Sequence, residues 1–346
     1  MKKLRIGVIG LGMGRCHVEG YLSHPQATVA AIADTSPERL QEIGDKHGIA
    51  GRYTDALDML AKEKLDVVSI ATPNKFHCPL ALAAFKAGCH VLCEKPMAMN
   101  AAEGRKMLAA AKKAKRRLMI NFSYRFNQKS QELKKQVDSG VLGDIYFART
   151  IWHRRRGMPG FGGWFGQKAL AGGGPLIDLG VHRLDFALWL MGYPKPTWVL
   201  GSTYNKIASA IAKREGKAFD VEDLAVGLVK FANGATLEIE ASWAANLRER
   251  ELMQTQLLGD QGGMLQFNLN EGYEFEAEIY REIAGCQVDS KIRWSNTPAP
   301  SSYYHFADSI IHNRPHIATG EEGLVVMELL DALYASAASG APVKIG

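Results

Sequence analysis

No stretch of the 346 residues approaches the roughly 20 consecutive apolar positions of a membrane-spanning helix, so no membrane association is expected. Cysteine is scarce. Cys16, Cys78, Cys89, Cys93 and Cys286 are an odd number with neither CxxC nor Cys/His spacing. That pattern argues against a disulfide framework or a structural zinc and suits a reducing compartment. Charge of one sign is lacking too: 42 Lys and Arg stand against 36 Asp and Glu, a net charge of +6. The densest basic runs, Lys112 to Arg117 and Arg154 to Arg156, read as solvated faces rather than a nucleic-acid surface. Internal repeats and low-complexity tracts are absent. The apolar run at the start is short and broken by glycine, so it reads as a first strand rather than an export signal, and a cytoplasmic location is expected.

What is present is an ordinary globular composition, 47% hydrophobic and 23% charged, over a length suited to two domains. Residues 1–122 alternate apolar runs (Arg5–Ile9, Thr28–Ala33, Asp66–Ala71, His90–Cys93, Leu118–Phe122) with helical patterns. Ser36-Pro37-Glu38 reads as a cap followed by proline at the first helical position, and Asn100 with Glu103 as a capping box. Fully apolar strands alternating with helices predict a doubly wound parallel α/β sheet. From residue 123 to 346 the pattern changes to α+β. A helix over Ser130–Ser139 and a strand over Ile145–Trp152 precede a loop rich in Gly, Arg and aromatics. Gly172-Gly173-Gly174 then opens a helix to Met191. Strands over Ala225–Phe231 and Thr236–Ala241 flank Asn233-Gly234, a hairpin signal. With Met253–Leu258 and Met264–Phe267 they predict an open, mostly antiparallel sheet, and a last helix covers Glu321–Ala338.

Gly10-Leu11-Gly12-Met13-Gly14 follows a strand and opens a helix. Glycine there permits a tight turn and a close approach to a pyrophosphate, which the helix N-terminus attracts. The third glycine comes one residue earlier than in GxGxxG. Asp34, with Thr35 after it, ends the second strand where a carboxylate accepts from an adenosine ribose and repels a 2′-phosphate, so NAD is expected over NADP.

Three further segments carry a family likeness: Ala71-Thr72-Pro73-Asn74-Lys75-Phe76-His77, His90 through Glu94-Lys95-Pro96, and Gly172-Gly173-Gly174 through Asp178 to His182. With the glycine turn and the C-terminal segment, the whole chain resembles the glucose–fructose oxidoreductase, inositol dehydrogenase and rhizopine catabolism (Gfo/Idh/MocA) family. The resemblance implies an N-terminal Rossmann domain and a substrate-binding, oligomerising second domain. It implies an NAD-dependent dehydrogenase acting on a secondary hydroxyl of a sugar or polyol, without a metal. Catalysis would fall to Lys95, Asp178 and His182, with the Lys95–Pro96 bond cis. Asp178 and His182 stand at i and i+4, on one helix face, and histidine is a suitable proton acceptor near neutral pH.

The resemblance places Thr72, Asn74, His77, Glu94, Lys95 and Arg125 against the dinucleotide, with Asn127 near Arg125. It gives substrate contacts to His153 and Arg155 as well as to Lys95, Asp178 and His182. The arginines around Arg155 raise recognition of an acidic or phosphorylated sugar. Trp152, Trp164 and Phe165 are candidates to stack on a sugar ring. A homodimer or homotetramer built through the second-domain sheet is implied. Two other family activities stay open: a glycosidase that retains NAD and oxidises transiently, and a catalytically silent NAD-binding regulator.

Overall fold

The computed structural model describes residues 3–293 and 299–345. Its chain divides into two units, Met1–Ser123 with Pro300–Met327, and Tyr124–Ala299 with Glu328–Gly346. The break after Ser123 lies one residue from the expected boundary. The segment 300–327, expected in the second domain, groups instead with the first.

In the first unit six strands, β1 (Leu4–Ile9), β2 (Ala27–Ala33), β3 (Gly51–Tyr53), β4 (Val67–Ile70), β5 (His90–Cys93) and β6 (Leu118–Ile120), form a parallel sheet. Their order is β3-β2-β1-β4-β5-β6, the dinucleotide-binding arrangement, which reverses direction between β1 and β4. Helices α1 (Leu11–Leu22), α2 (Pro37–His47), α3 (Ala56–Lys62), α4 (His77–Lys86) and α5 (Ala101–Ala114) make the crossovers. The apolar strands are buried as expected: Ile6, Val8, Val67, Val68, Ile70, Val91 and Leu92 expose nothing. Local signals start the helices as the sequence predicts. Ser36 Oγ accepts from Arg39 N at 3.3 Å beneath Pro37, and Asn100 Oδ1 accepts from Glu103 N at 3.0 Å. Glu103 reaches back to Met99 N, one residue beyond the cap.

The second unit holds α6 (Gln128–Asp138), β7 (Ile145–Arg154), α7 (Lys168–Ala171), α8 (Val181–Met191), β8 (Pro196–Tyr204), α9 (Ala208–Glu215), β9 (Leu224–Phe231), β10 (Thr236–Ser242), β11 (Glu251–Gly259), β12 (Gly263–Asn268), β13 (Phe275–Ile283) and β14 (Cys286–Lys291). Near the C-terminus, α10 (Ser302–Ile311) belongs to the first unit, α11 (Gly320–Ser339) contains the division, and β15 (Val343–Lys344) returns to the second. The sheet order is β14-β13-β12-β11-β7-β10-β9-β8-β15, antiparallel throughout except for β7 with β10. Asn233-Gly234 closes the β9–β10 hairpin, with Gly234 at φ 88° and Asn233 Oδ1 accepting from Ala235 N. Alternation, strict in β9 and broken only at Ser242 in β10, buries one face of the two strands. On that side a core of Trp152, Leu179, Val221, Trp243, Met253 and Phe275 forms.

Candidate active site

In the first unit the expected cofactor residues gather at the carboxyl ends of the parallel strands. Gly10 follows β1, Asp34 follows β2, Thr72 follows β4 and Glu94-Lys95 follows β5. Each glycine of the turn has its own reason. Gly10 stands at φ 86°, and a Cβ there would lie 2.5 Å from Ala71 O. At Gly12 a Cβ would meet nothing within 4 Å, so the backbone faces open space where a phosphate can approach. A Cβ at Gly14 would press to 3.0 Å from Val8 Cγ1, so this glycine lets α1 lie against β1. The third glycine therefore keeps its helix-packing duty despite coming one residue early. Met13 is exposed beside Gly12. First-turn amides of a helix have no carbonyl four residues back, which leaves those of Gly12 and Met13 aimed outward.

Asp34 is buried and also builds this turn. Its Oδ2 accepts from Leu11 N at 2.6 Å and its Oδ1 from Ser36 N at 2.8 Å. A carboxylate has about four acceptor directions, so capacity remains for a ribose hydroxyl. Arg39 Nη1 lies 3.6 Å from Oδ1 and tempers the negative charge that would exclude a 2′-phosphate. Thr35 next to it is exposed. At the carboxyl ends of the strands the buried Thr72 Oγ1 and Asn121 Oδ1 have no hydrogen-bond partner among the described residues. Orphaned groups of this kind, an open Gly12 and outward amides fit a bound dinucleotide. Asn74 is buried nearby at the start of the turn into α4.

Lys95, half-buried, precedes a cis bond to Pro96, and its backbone N–H donates to Glu94 Oε2 at 3.3 Å. Glu94 in turn is fixed by residues that sequence reasoning missed. His17 Nε2 donates to Glu94 Oε1 at 2.8 Å and its Nδ1 meets Ser69 Oγ at 2.8 Å, while Asn121 Nδ2 donates to Oε1 at 2.5 Å. Tyr303 of α10 packs its ring 4.6 Å from that of His17. Burial opposes ionisation of Glu94, yet the His17 and Asn121 bonds and the Lys95 charge prevail and hold its pKa below the ordinary value.

His77 is a correction. It is fully buried, with Nδ1 2.8 Å from Pro96 O and Nε2 2.9 Å from Thr72 O. It ties the Thr72 turn to the Lys95 turn and offers no surface to a dinucleotide. Burial pulls its pKa down, although only the charged imidazole donates to both carbonyls.

In the second unit Asp178 and His182 stand where the glycine run opens a helix, with a difference from expectation. Residues Leu176–Gly180 form a π-turn before α8, so the i, i+4 pair straddles a widened turn rather than an α-helical face. Asp178 Oδ2 accepts from Trp243 Nε1 at 3.0 Å. The His182 ring lies edge-on to Tyr124 at 5.1 Å and tilted against Trp152 at 5.6 Å. The turn itself is held by Glu222, whose buried carboxylate accepts from Gly174 N, Leu176 N and Tyr334 Oη at 2.8, 3.1 and 2.8 Å. A Cβ at Gly173 or Gly174 would lie 2.1 Å from Tyr334 Oη or Glu222 O, which explains the glycines.

The remaining expectations are corrected by strand alternation and burial. Arg125 is fully buried, its Nε and Nη2 2.9 and 2.5 Å from the two carboxylate oxygens of Asp185, so it presents nothing to a cofactor. Asn127 caps α6 by accepting from Lys129 N. Strand β7 runs on to Arg154, so His153 points to the face opposite Trp152, 3.4 Å from Glu240 Oε2. Arg155 is exposed to solvent. The arginine that shares the Trp152 face is Arg154. Trp164 and Phe165 stack on each other at 3.8 Å, and Phe165 packs against Trp243.

Comparison with known proteins places the chain in a family. Residues 4–122 match the oxidoreductase family with an NAD-binding Rossmann fold (GFO_IDH_MocA), and residues 130–265 match the GFO/IDH/MocA C-terminal domain. D-glucoside 3-dehydrogenase of Escherichia coli (strain K12) is 35% identical over 354 residues, spanning 99% of this chain and 97% of that protein. Levoglucosan dehydrogenase solved with NADH superposes with a TM-score of 0.87 at 25% identity, covering 100% of both chains. The aldose-aldose oxidoreductase of Caulobacter crescentus, complexed with glycerol, gives 0.83 at 28% identity over 99% of this chain and 100% of that one.

Proposed function

The chain belongs to the GFO/IDH/MocA family of oxidoreductases, and on that premise we propose that it moves a hydride between a secondary carbinol of a sugar or polyol and NAD. What carries the reading is the open glycine cradle beside Asp34, in a chain that aligns end to end with a glucoside dehydrogenase. When bound, NAD would supply the acceptor for the hydride of the carbinol carbon. His182 accepts the hydroxyl proton. Lys95 donates to the same oxygen and favours its alkoxide character as negative charge builds there. Asp178, steadied by Trp243, accepts from a neighbouring hydroxyl and holds the substrate in register. Gly10, Gly12, Met13, Gly14, Asp34, Thr72 and Asn74 hold the dinucleotide, with Glu94 setting the Lys95 turn.

Purified protein scanned with NAD against glucosides, hexoses, inositols and uronates should produce NADH absorbance with at least one sugar class. In that assay Lys95→Ala and His182→Ala are each expected to lower turnover by about a hundredfold or more. Near-full turnover in both variants would overthrow the assignment.

A second copy of the chain is the proposed partner, docking on the outer face of the nine-stranded sheet. There Leu200 and Leu228 face each other across β8 and β9, with Phe147 and Ile151 on β7. Light scattering after size exclusion tests this, and a monomer would refute it. Five free cysteines suit a reducing compartment such as the cytoplasm.

A further inference from the structure

Arg154 lies at the end of β7 on the face of Trp152, whose indole ring packs 5.6 Å from the His182 ring. Its guanidinium centre is 5.4 Å from the Trp152 ring. This is the arginine placed to meet a charged group on a substrate held near His182, yet its hydrogen-bonding edges are already engaged. Nε donates to Glu251 Oε1 at 2.9 Å, Nη2 to Tyr273 Oη at 2.8 Å, and Nη1 to Gly157 O at 3.3 Å. Glu251 stands directly opposite Arg154 across the β7–β11 pairing. The same Oε1 accepts from Trp152 Nε1 at 2.7 Å and from Tyr273 Oη at 3.0 Å. One carboxylate oxygen thus gathers three donors. Both partners of the ion pair are largely buried, their side chains 18% and 16% exposed, where screening by solvent is weak. Burial alone would lower the Arg154 pKa, but the bond and charge of Glu251 reverse that and keep the arginine ionised.

We propose that Glu251 is a specificity-determining residue that makes the site select uncharged sugars. By binding Arg154 it withdraws that cation from substrate carboxylates, and its own charge repels them. The proposal rests on the dehydrogenase reading above and refines its substrate class. The two arginines that follow it in the chain do not substitute. Arg156 donates to Ala245 O and Asn246 Oδ1, and Arg155 is solvent-exposed after β7. Glu251 also fixes the indole against which His182 rests, so its loss is expected to reduce turnover of neutral substrates as well.

The test compares kcat/KM for a neutral methyl glycoside with that for the uronide differing only by oxidation at C6. Wild-type protein is expected to favour the neutral glycoside. In Glu251→Gln the ratio should move toward the uronide by about tenfold or more, as a charge-assisted bond to Arg154 becomes available. Adding Arg154→Gln should cancel that shift. An unchanged ratio in Glu251→Gln, or a shift that survives in the double variant, would overturn the proposal. Should Glu251→Gln fail to fold, Arg154→Gln alone decides. It leaves the carboxylate facing the site, so it should penalise the uronide more than the glycoside, and an equal penalty refutes the role. The same pairs are also titrated against NADH-loaded protein by tryptophan fluorescence. Discrimination in binding without turnover of either sugar would leave Glu251 in place and reject the dehydrogenase reading.

Discussion

Trp243 Nε1 donates to Asp178 Oδ2 across 3.0 Å, joining the end of β10 to the π-turn before α8. Both residues are buried, so the carboxylate is oriented by an indole that no solvent exchange relaxes. Trp243→Phe keeps an aromatic ring, smaller than the indole, and removes the donor. We expect kcat/KM for the sugar to fall about tenfold, roughly 1.5 kcal/mol for a bond to a charged group, with NAD affinity unchanged. Steady-state kinetics with both substrates varied would show it, and an unaltered sugar kcat/KM would remove Trp243 from the site.

The Glu94 carboxyl carries a pH signature. Its folded pKa lies below the 4.5 of the unconstrained group. A group depressed on folding stabilises above its unfolded value and loses that stabilisation as pH falls through its folded value. Thermal midpoints should therefore decline below about pH 4.5, and His17→Gln, which removes the imidazole bonded to Glu94, should shallow that decline. Parallel acid limbs in the two proteins would count against the linkage.

Glu222 should matter more for folding than for chemistry. Its carboxylate satisfies two amides and one phenol in a buried setting. Glu222→Ala leaves those donors stranded, and we expect a loss of about 3 kcal/mol, against about 1 kcal/mol for Tyr334→Phe. Urea midpoints at constant slope measure both. Equal small losses would contradict the arrangement.

The glycine turn makes a clean contrast. Gly12→Val adds a side chain in space the protein leaves open, so stability should hold while KM for NAD rises tenfold or more. Gly14→Val forces atoms against Val8 and should lower the thermal midpoint instead. The reverse pattern would exchange the roles given to the two glycines.

Coenzyme choice is expected to turn on Asp34 with Arg39 beside it. Asp34→Ser should raise the NADP to NAD ratio of kcat/KM by tenfold or more, and adding Arg39→Ala should reverse most of that gain. A ratio indifferent to both changes would place the selectivity elsewhere.

The first unit was legible because its signals are local. A glycine turn after an apolar strand, a terminal aspartate and capping residues all lie within a few residues of what they control. The same holds for the Asn233-Gly234 hairpin. What escaped depends on distant partners: Glu222 reaches Gly174 and Tyr334 across 48 and 112 residues, and Asn121 meets Tyr303 across 182. The π-turn was unreadable because an extra residue in a turn leaves no periodic mark over five positions. His153 and Arg155 were misplaced because β7 was ended at Trp152. Carrying the same alternation two residues further turns His153 away from the Trp152 face and puts Arg154 on it, in the place expected of its neighbours.

Strand β6 receives its last partners from the far end of the chain: Ile120 N donates to Ala318 O, and Met119 bridges to Thr319. On the ribosome this has an ordering effect. Residues of the nucleotide-binding unit emerge first, at ~5–20 per second, but the unit cannot close until residue 327 has been made. The nascent sheet must wait, with β6 unfinished, while strands β7 to β14 of the second unit are synthesised. A fragment ending at residue 122 would be a permanently arrested version of that state, and the coenzyme site would be among the last parts of the molecule to mature.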